Sequence, residues 1–296
     1  MLLKLRAHFG RREALRDSQH DRAARHVPLA DAHVDERAAA HRPRRRVEPD
    51  RLGDHGVGER QPWEVVERRG AQAVRQSGVV EQLDHLGVER AFLVIGPSLG
   101  GSAVLAFAAL HPGRARRLIS ISGTMAASAH AIALRSIQRE AVQNDPVNGL
   151  RLARKLGTVT YRSAAELSAR FGRAASNSGQ DFAIQDYLDQ QADKFSKTFD
   201  PDSYLKLSRA IDLFDLSAHG DPTTLLQRAG LESALVIGVE QDSLFTIDEQ
   251  TRIAAALRAA GIPSQLERVD SLAGHDAFLA DQPLFAAIIA RWLRDS

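Results

Sequence analysis

The hexapeptide GPSLGG, Gly96 to Gly101, sets a serine at the centre of a G-x-S-x-G pattern directly after the apolar run AFLVIG. A serine hydroxyl is a weak nucleophile until a base takes its proton and nearby donors receive the charge that develops on the attacked carbonyl. Small neighbours at Gly96 and Gly100 allow a strained strand-to-helix turn that pushes Ser98 Oγ outward. The helix start then offers its dipole and the Leu99 N–H to an oxyanion. The alternative for Ser98 is helix capping in a glycine-rich turn. A phosphate-binding loop is excluded because no GK[ST] ending follows, and no G-x-G-x-x-G occurs.

Such a serine needs a histidine and an acid. His275, in the Gly-led loop SLAGHDAFL near the chain end, is the candidate base; the alternative is a surface loop histidine. Asp242 closes the run SALVIGVEQD and gives the chain order Ser, Asp, His. Asp270 competes for the acid role, but it lies just past the last expected strand and five residues before His275, a position suited to a turn residue.

The elements that must carry these residues are legible from about Val74 onward. VVEQLDHLGVERA reads as an amphipathic helix ended by Gly87, and AFLVIG as a strand apolar on both faces, as in a buried parallel sheet. SAVLAFAALHP reads as a helix stopped by Pro112, and RLISISG as the next strand. After a long helical middle come the strand SALVIGVE, the helix IDEQTRIAAALRAAG, the edge strand SQLERV and the closing helix PLFAAIIARWLRD. Strands alternating with helices predict parallel βαβ units. The expected organisation is a core from 71–124 and 221–296, with 125–220 inserted as a helical lid over the carboxyl ends of the strands.

Residues 1–70 have a different texture. They carry 16 Lys and Arg against 12 Asp and Glu, whereas the rest of the chain has 23 against 25. This arginine- and histidine-rich stretch holds few large apolar residues, cannot bury enough surface to offset the entropy of ordering, and is expected to be disordered. HRPRRR invites a phosphate-binding reading, but acids are interleaved and aromatic stacking residues are lacking, so neither nucleic acid nor membrane is an expected partner. A solvated tail and a stretch encoded in a shifted reading frame are the other readings.

With 296 residues, 44% of them hydrophobic, the chain can fill a sizeable core. The absence of Cys excludes disulfides, thiolate nucleophiles and cysteine metal sites, and fits a cytoplasmic location. MLLKLRAHFGRR has too short an apolar run for a signal peptide, and no stretch approaches the roughly 20 apolar residues that span a bilayer. No metal cluster is expected: HDAFLAD has no second His at ligand spacing.

Several longer motifs carry a resemblance. GPSLGG, ISISG, IALRSIQREAVQNDP, GLRLARKLGTVTYRS, RFGR, KFSKTFDPDSYLKLSRAIDLFDL and GHDAFL, in this order, resemble the homoserine O-acyltransferases of the α/β-hydrolase superfamily, and most of all their serine O-succinyltransferase branch. The resemblance runs from about Val80 to the C-terminus. It implies an α/β-hydrolase fold, acyl transfer from acyl-CoA through Ser98, and L-serine or L-homoserine as acceptor. No cofactor beyond the acyl-CoA co-substrate is implied, and a homodimer through the lid is. It further implies that Arg154 of LARKLG holds the substrate carboxylate and Asp276 its ammonium; otherwise these are a helix-face arginine and a helix-capping aspartate. Arg135 of IALRSIQR stands where acetyl-using relatives carry an uncharged residue, and a cation there could pair with the free carboxylate of a succinyl group; the alternative is an arginine on the lid surface.

The sequence also departs from this family. Nothing in residues 1–70 resembles the β-rich first half of its members, including the strand-end loop whose N–H completes the oxyanion hole. AFLVIG is therefore expected at an unpaired sheet edge. At QNDPVNGL a longer loop is missing. A plain esterase on the same fold and a truncated, inactive relative are the competing readings.

Overall fold

The computed structural model describes residues 78–295. The arginine-rich stretch, with the expectation of disorder attached to it, lies outside the described residues. A first helix, α1 (Gly78–His85), is followed by Gly87 in the left-handed region at φ 67°, and leads into strand β1 (Ala91–Pro97). Helix α2 (Leu99–Leu110) returns the chain to β2 (Ala115–Ile121). Strand β3 (Ser233–Val239), helix α9 (Ile247–Ala259), strand β4 (Ser264–Val269), a single turn at Gly274–Asp276, short α10 (Ala277–Ala280) and α11 (Gln282–Asp295) complete the core.

The four strands form one parallel sheet in the order β1-β2-β3-β4. Alternation along the strands divides the core into two layers, because successive side chains of a strand point to opposite faces. Leu118, Ala234 and Val236 face one side, packing with Leu105 of α2 and with Ile253 and Leu257 of α9. Ile119, Leu235, Ile237 and Val239 face the other, where Phe285, Ile288 and Trp292 of α11 cover them.

The expectation of burial on both faces of AFLVIG is corrected in part. Leu93 and Val94 pack against the two layers, but Phe92 is 55% and Ile95 46% exposed. The reason is topological: β1 pairs only with β2 among the described strands and stands at the sheet edge. The Phe92 ring is partly covered by the guanidiniums of Arg116 and Arg117, 5.8 and 5.1 Å from its centroid.

Between β2 and β3 the chain inserts helices α3 (Ala129–Asn144), α4 (Pro146–Tyr161), α5 (Ala164–Phe171), α6 (Ala183–Ser196) and α7 (Pro201–Asp212), a short turn at Leu216–His219, and α8 (Pro222–Gln227). Where the family pattern suggested a longer loop, one residue joins α3 to α4. Asp145 ends the first helix and caps the second, its side chain accepting from the N–H groups of Val147 and Asn148, with Pro146 at the first helical position. The hairpin closes tightly because position 149 is Gly: a Cβ there would stand 1.9 Å from Ala141 O. Arg135 and Arg154 are thereby carried on helices packed against each other.

Candidate active site

The parallel register gathers the carboxyl ends of the strands, with Pro97 beside Ile121 and Val239 beside Val269. Chain reversals at this edge of an open α/β sheet are where such folds place their chemistry. Ser98 follows β1 there. Its backbone is held at φ 55°, ψ −121°, a conformation that costs a non-glycine residue about 1–3 kcal/mol and persists only where neighbours enforce it. Two contacts do so: Ser98 N–H donates to Ile121 O at 2.8 Å, and Ser102 N–H donates to Ser98 O at 3.2 Å. Gly96 is required for the same bend, since a Cβ there would lie 2.2 Å from Gly100 O.

Ser98 heads α2 but its side chain makes no capping bond, which removes the capping explanation for this serine. Its Oγ lies instead 2.8 Å from His275 Nε2. His275 Nδ1 lies 2.7 Å from Asp242 Oδ2, and Asp242 Oδ1 accepts from the N–H groups of Leu244 and Phe245 at 2.9 and 2.8 Å. A carboxylate only accepts, so Nδ1 carries the ring hydrogen and Nε2 faces Ser98 Oγ as a base. Asp242 and His275 are both buried, at 3% and 4% exposure. Asp270, the competing acid, accepts from Gln241 Nε2 at 2.5 Å. The sequence order thus brings together the three side chains expected, from the ends of β1 and β3 and from the loop after β4.

The imidazole is enclosed by rings absent from the sequence reading. Phe245 stacks on it at 5.0 Å between centroids, Tyr161 lies tilted at 5.6 Å and Phe278 presents an edge at 5.9 Å. Phe245 had a local signal, three residues after Asp242 in the turn that also grips the carboxylate. Tyr161 had none, because it reaches the histidine only through the packing of α4.

Ser98 and Leu99 open onto a cavity of about 250 Å³ walled by the inserted helices, with Arg135, Arg154, Tyr161 and Tyr204 among its lining residues. Leu99 is the first residue of α2, where helical N–H groups lack intrahelical acceptors. The Arg154 guanidinium sits over the rings of Tyr161 and Phe195, 5.9 and 5.0 Å from their centroids, and its Nε is buried without a hydrogen-bond partner among the described residues. Burial pushes the Tyr161 hydroxyl above its ordinary range, with Arg154 pulling the other way. Arg135 also reaches the cavity, but its Nε donates to Asp212 Oδ1 at 2.5 Å. Asp276 is not among the lining residues; its carboxylate lies 3.1 Å from Arg162 Nε, and burial holds it above the usual carboxylate range despite that cation.

Among the described residues no helix is long and apolar enough to cross a membrane, and no group of three or more His, Asp or Glu could hold a metal ion.

Residues 78–282 match the family described as alpha/beta hydrolase fold. A serine O-succinyltransferase from Stenotrophomonas maltophilia strain K279a is 40% identical over 72% of this chain and 64% of its own length. One from Xylella fastidiosa strain M12 is 41% identical over 73% and 65%. The chain therefore spans just under two thirds of these relatives. Among solved structures, a homoserine O-acetyltransferase from Bacillus anthracis superposes with a TM-score of 0.69 at 18% identity, covering 76% of this chain and 65% of that one. Esterase E22 does so with a TM-score of 0.67 at 22% identity, covering 74% and 66%. At these identities the structures speak to the fold alone. Their agreement with the parallel sheet, its helical insertion and the 78–282 match means that the chain belongs to the α/β-hydrolase fold family and is homologous to serine O-succinyltransferases.

Proposed function

We propose that this protein is an O-acyltransferase of amino-acid biosynthesis that moves an acyl group, succinyl in preference to acetyl, from acyl-CoA to the hydroxyl of L-serine or L-homoserine. The observation that carries the reading is the hydrogen-bonded series Ser98, His275, Asp242 opening onto a cavity that also holds two guanidiniums, Arg154 and Arg135. A hydrolase of simple esters has no use for paired cations beside its nucleophile, whereas a transferase whose two substrates, a succinyl donor and an amino-acid acceptor, each bring one free carboxylate does.

In the proposed catalytic triad, His275 Nε2 takes the proton of Ser98 Oγ as the oxygen attacks the thioester carbonyl. The tetrahedral oxyanion faces the Leu99 N–H and the positive end of α2. Collapse breaks the carbon–sulfur bond, and the imidazolium returns its proton to the departing CoA sulfur. The acceptor hydroxyl then loses its proton to His275 Nε2 and attacks the Ser98 ester; the acyl–Oγ bond breaks, the imidazolium gives that proton to Ser98 Oγ, and the O-acyl amino acid is released. Asp242 keeps the imidazole in the tautomer that both halves require. Arg154, with its Nε unpaired, takes the acceptor carboxylate, and Asp276 takes the ammonium in exchange for its pairing with Arg162. Helices α3 to α7, within 125–220, act as the lid that excludes water from the acyl-enzyme.

The test is thiol release by the purified full chain. Without acceptor, succinyl-CoA should release no more than about one CoA per enzyme, the acylation step alone; continuous release should require L-serine or L-homoserine, run more slowly from acetyl-CoA, and be absent in Ser98→Ala. Hydrolysis of p-nitrophenyl acetate that neither amino acid accelerates would assign the site to an esterase instead. Equal kcat/KM for both acyl-CoAs, unchanged by Arg135→Ala, would remove the acyl preference.

A further inference from the structure

At the cavity wall, Arg135 is followed one turn later on α3 by Arg139, and both guanidiniums converge on one carboxylate from the end of α7. Asp212 Oδ1 accepts from Arg135 Nε at 2.5 Å, while Arg139 Nη1 stands 2.5 Å from Asp212 Oδ2 as an ionic contact and donates to Ser208 Oγ at 3.0 Å. The cluster is buried, with side-chain exposures of 2% for Asp212, 11% for Arg135 and 13% for Arg139.

Burying a carboxylate with two guanidiniums carries a large desolvation cost, and apolar residues of the same volume would stabilise the packing at least as well. The arrangement has two chemical consequences instead. One carboxylate between two guanidiniums leaves a single net positive charge beside the cavity. Asp212 also takes Arg135 through Nε, and among the described residues no protein acceptor engages either Nη group of Arg135. The Nη pair is a fork matched to a carboxylate. Arg135 and Ser208 line the cavity, whereas Arg139 and Asp212 do not.

We infer that Asp212 is a positioning residue: it holds Arg135 by Nε, with Arg139 balancing its charge from behind, so that the Nη fork and the surplus cation meet the distal carboxylate of a dicarboxylic acyl group. The inference rests on the acyl-transfer reading above and adds to it the device that sets acyl preference.

Equilibrium binding of succinyl-CoA and acetyl-CoA to the full chain, in a Ser98→Ala background that prevents turnover, provides the test. The parent should bind succinyl-CoA about tenfold tighter than acetyl-CoA, the size of one charge-assisted pair. Asp212→Asn adds one net positive charge yet releases Arg135, so a ratio that falls toward one, with the acetyl-CoA Kd within about twofold, reads lost positioning against the charge, and Asp212→Glu should restore most of the preference. Arg139→Gln touches no cavity wall yet removes the surplus charge, so it should lower the ratio about three- to tenfold, and it serves as the probe where Asp212→Asn does not fold. A ratio unchanged in Arg139→Gln, or in a folded Asp212→Asn, overturns the positioning role, as does an equal weakening of both ligands, the mark of a purely structural cluster. A parent that binds both acyl-CoAs equally, unaffected by Arg135→Ala, overturns this inference and the acyl preference alone, whereas a parent that binds neither acyl-CoA overturns the acyl-transfer reading itself.

Discussion

Replacing Asp242 by Asn exchanges one carboxylate oxygen for an NH2 group and tests the arrangement around His275 without altering its shape. In the parent, Oδ1 accepts from the N–H groups of Leu244 and Phe245 and Oδ2 accepts from His275 Nδ1. An amide has one acceptor and one NH2 group, so the two ends cannot both be served as before. Turning the NH2 toward the backbone would oppose it to two donors in a buried site, whereas turning it toward His275 loses only one favourable contact. The second orientation prevails. The Asn NH2 then donates to Nδ1, which must give up its hydrogen, and Nε2 becomes a donor pointing at Ser98 Oγ. The base is lost while the ring stays in place. A change of this kind costs about 10⁴ in the rate of serine acylation, roughly 5 kcal/mol of transition-state stabilisation. Stability should fall by only about 1–2 kcal/mol, the difference between a charge-assisted and a neutral hydrogen bond. Stopped-flow measurement of the p-nitrophenolate burst from p-nitrophenyl acetate reads the acylation step without an acceptor, and urea denaturation reads the stability. A burst within tenfold of the parent would refute the claim that Asp242 sets the tautomer. A collapse of the fold would refute the claim that it does so at small structural cost.

Other consequences can be measured in the same way. Gly96→Ala would drive a methyl group into Gly100 O, 2.2 Å away, so the elbow must open; a loss of about 1–3 kcal/mol in urea unfolding, accompanied by loss of the burst, is expected. Arg154→Lys keeps the charge but loses the planar group that lies over Tyr161 and Phe195, and should raise the KM for the amino-acid acceptor about tenfold while leaving the burst unchanged. Burial holds the Glu249 carboxyl above its ordinary range, although the Thr246 N–H and the Thr124 hydroxyl oppose the shift. The folded state therefore binds the proton more tightly than the unfolded one. The carboxyl contributes most below the unfolded pKa, and stability falls as pH rises from that value through the higher folded one. Thermal melts of Glu249→Gln across this interval should lack that part of the decline; a parallel course with the parent would count against it.

Much of this molecule is local and could be read from the chain. The bend at Ser98 follows from small residues flanking it after an apolar strand, and the division into βαβ units follows from the alternation of periods, because both depend on neighbours within a few residues. The order Ser, Asp, His was legible for the same reason: each residue stands at the end of an element whose type is set locally. What the sequence could not decide is how far apart these ends lie. Only the parallel register put the β1 and β3 termini at the same edge of the sheet, with β2 between them, and left Asp242 on the imidazole while Asp270 turned to Gln241. The exposure of Phe92 and Ile95 likewise depends on strand order, not on the apolar run that contains them. The Tyr161 ring against His275 and the capture of Arg135 by Asp212 join residues 114 and 77 positions apart. No periodicity encodes such a meeting: it arises when helices and strands pack and their side chains compete for the same buried space.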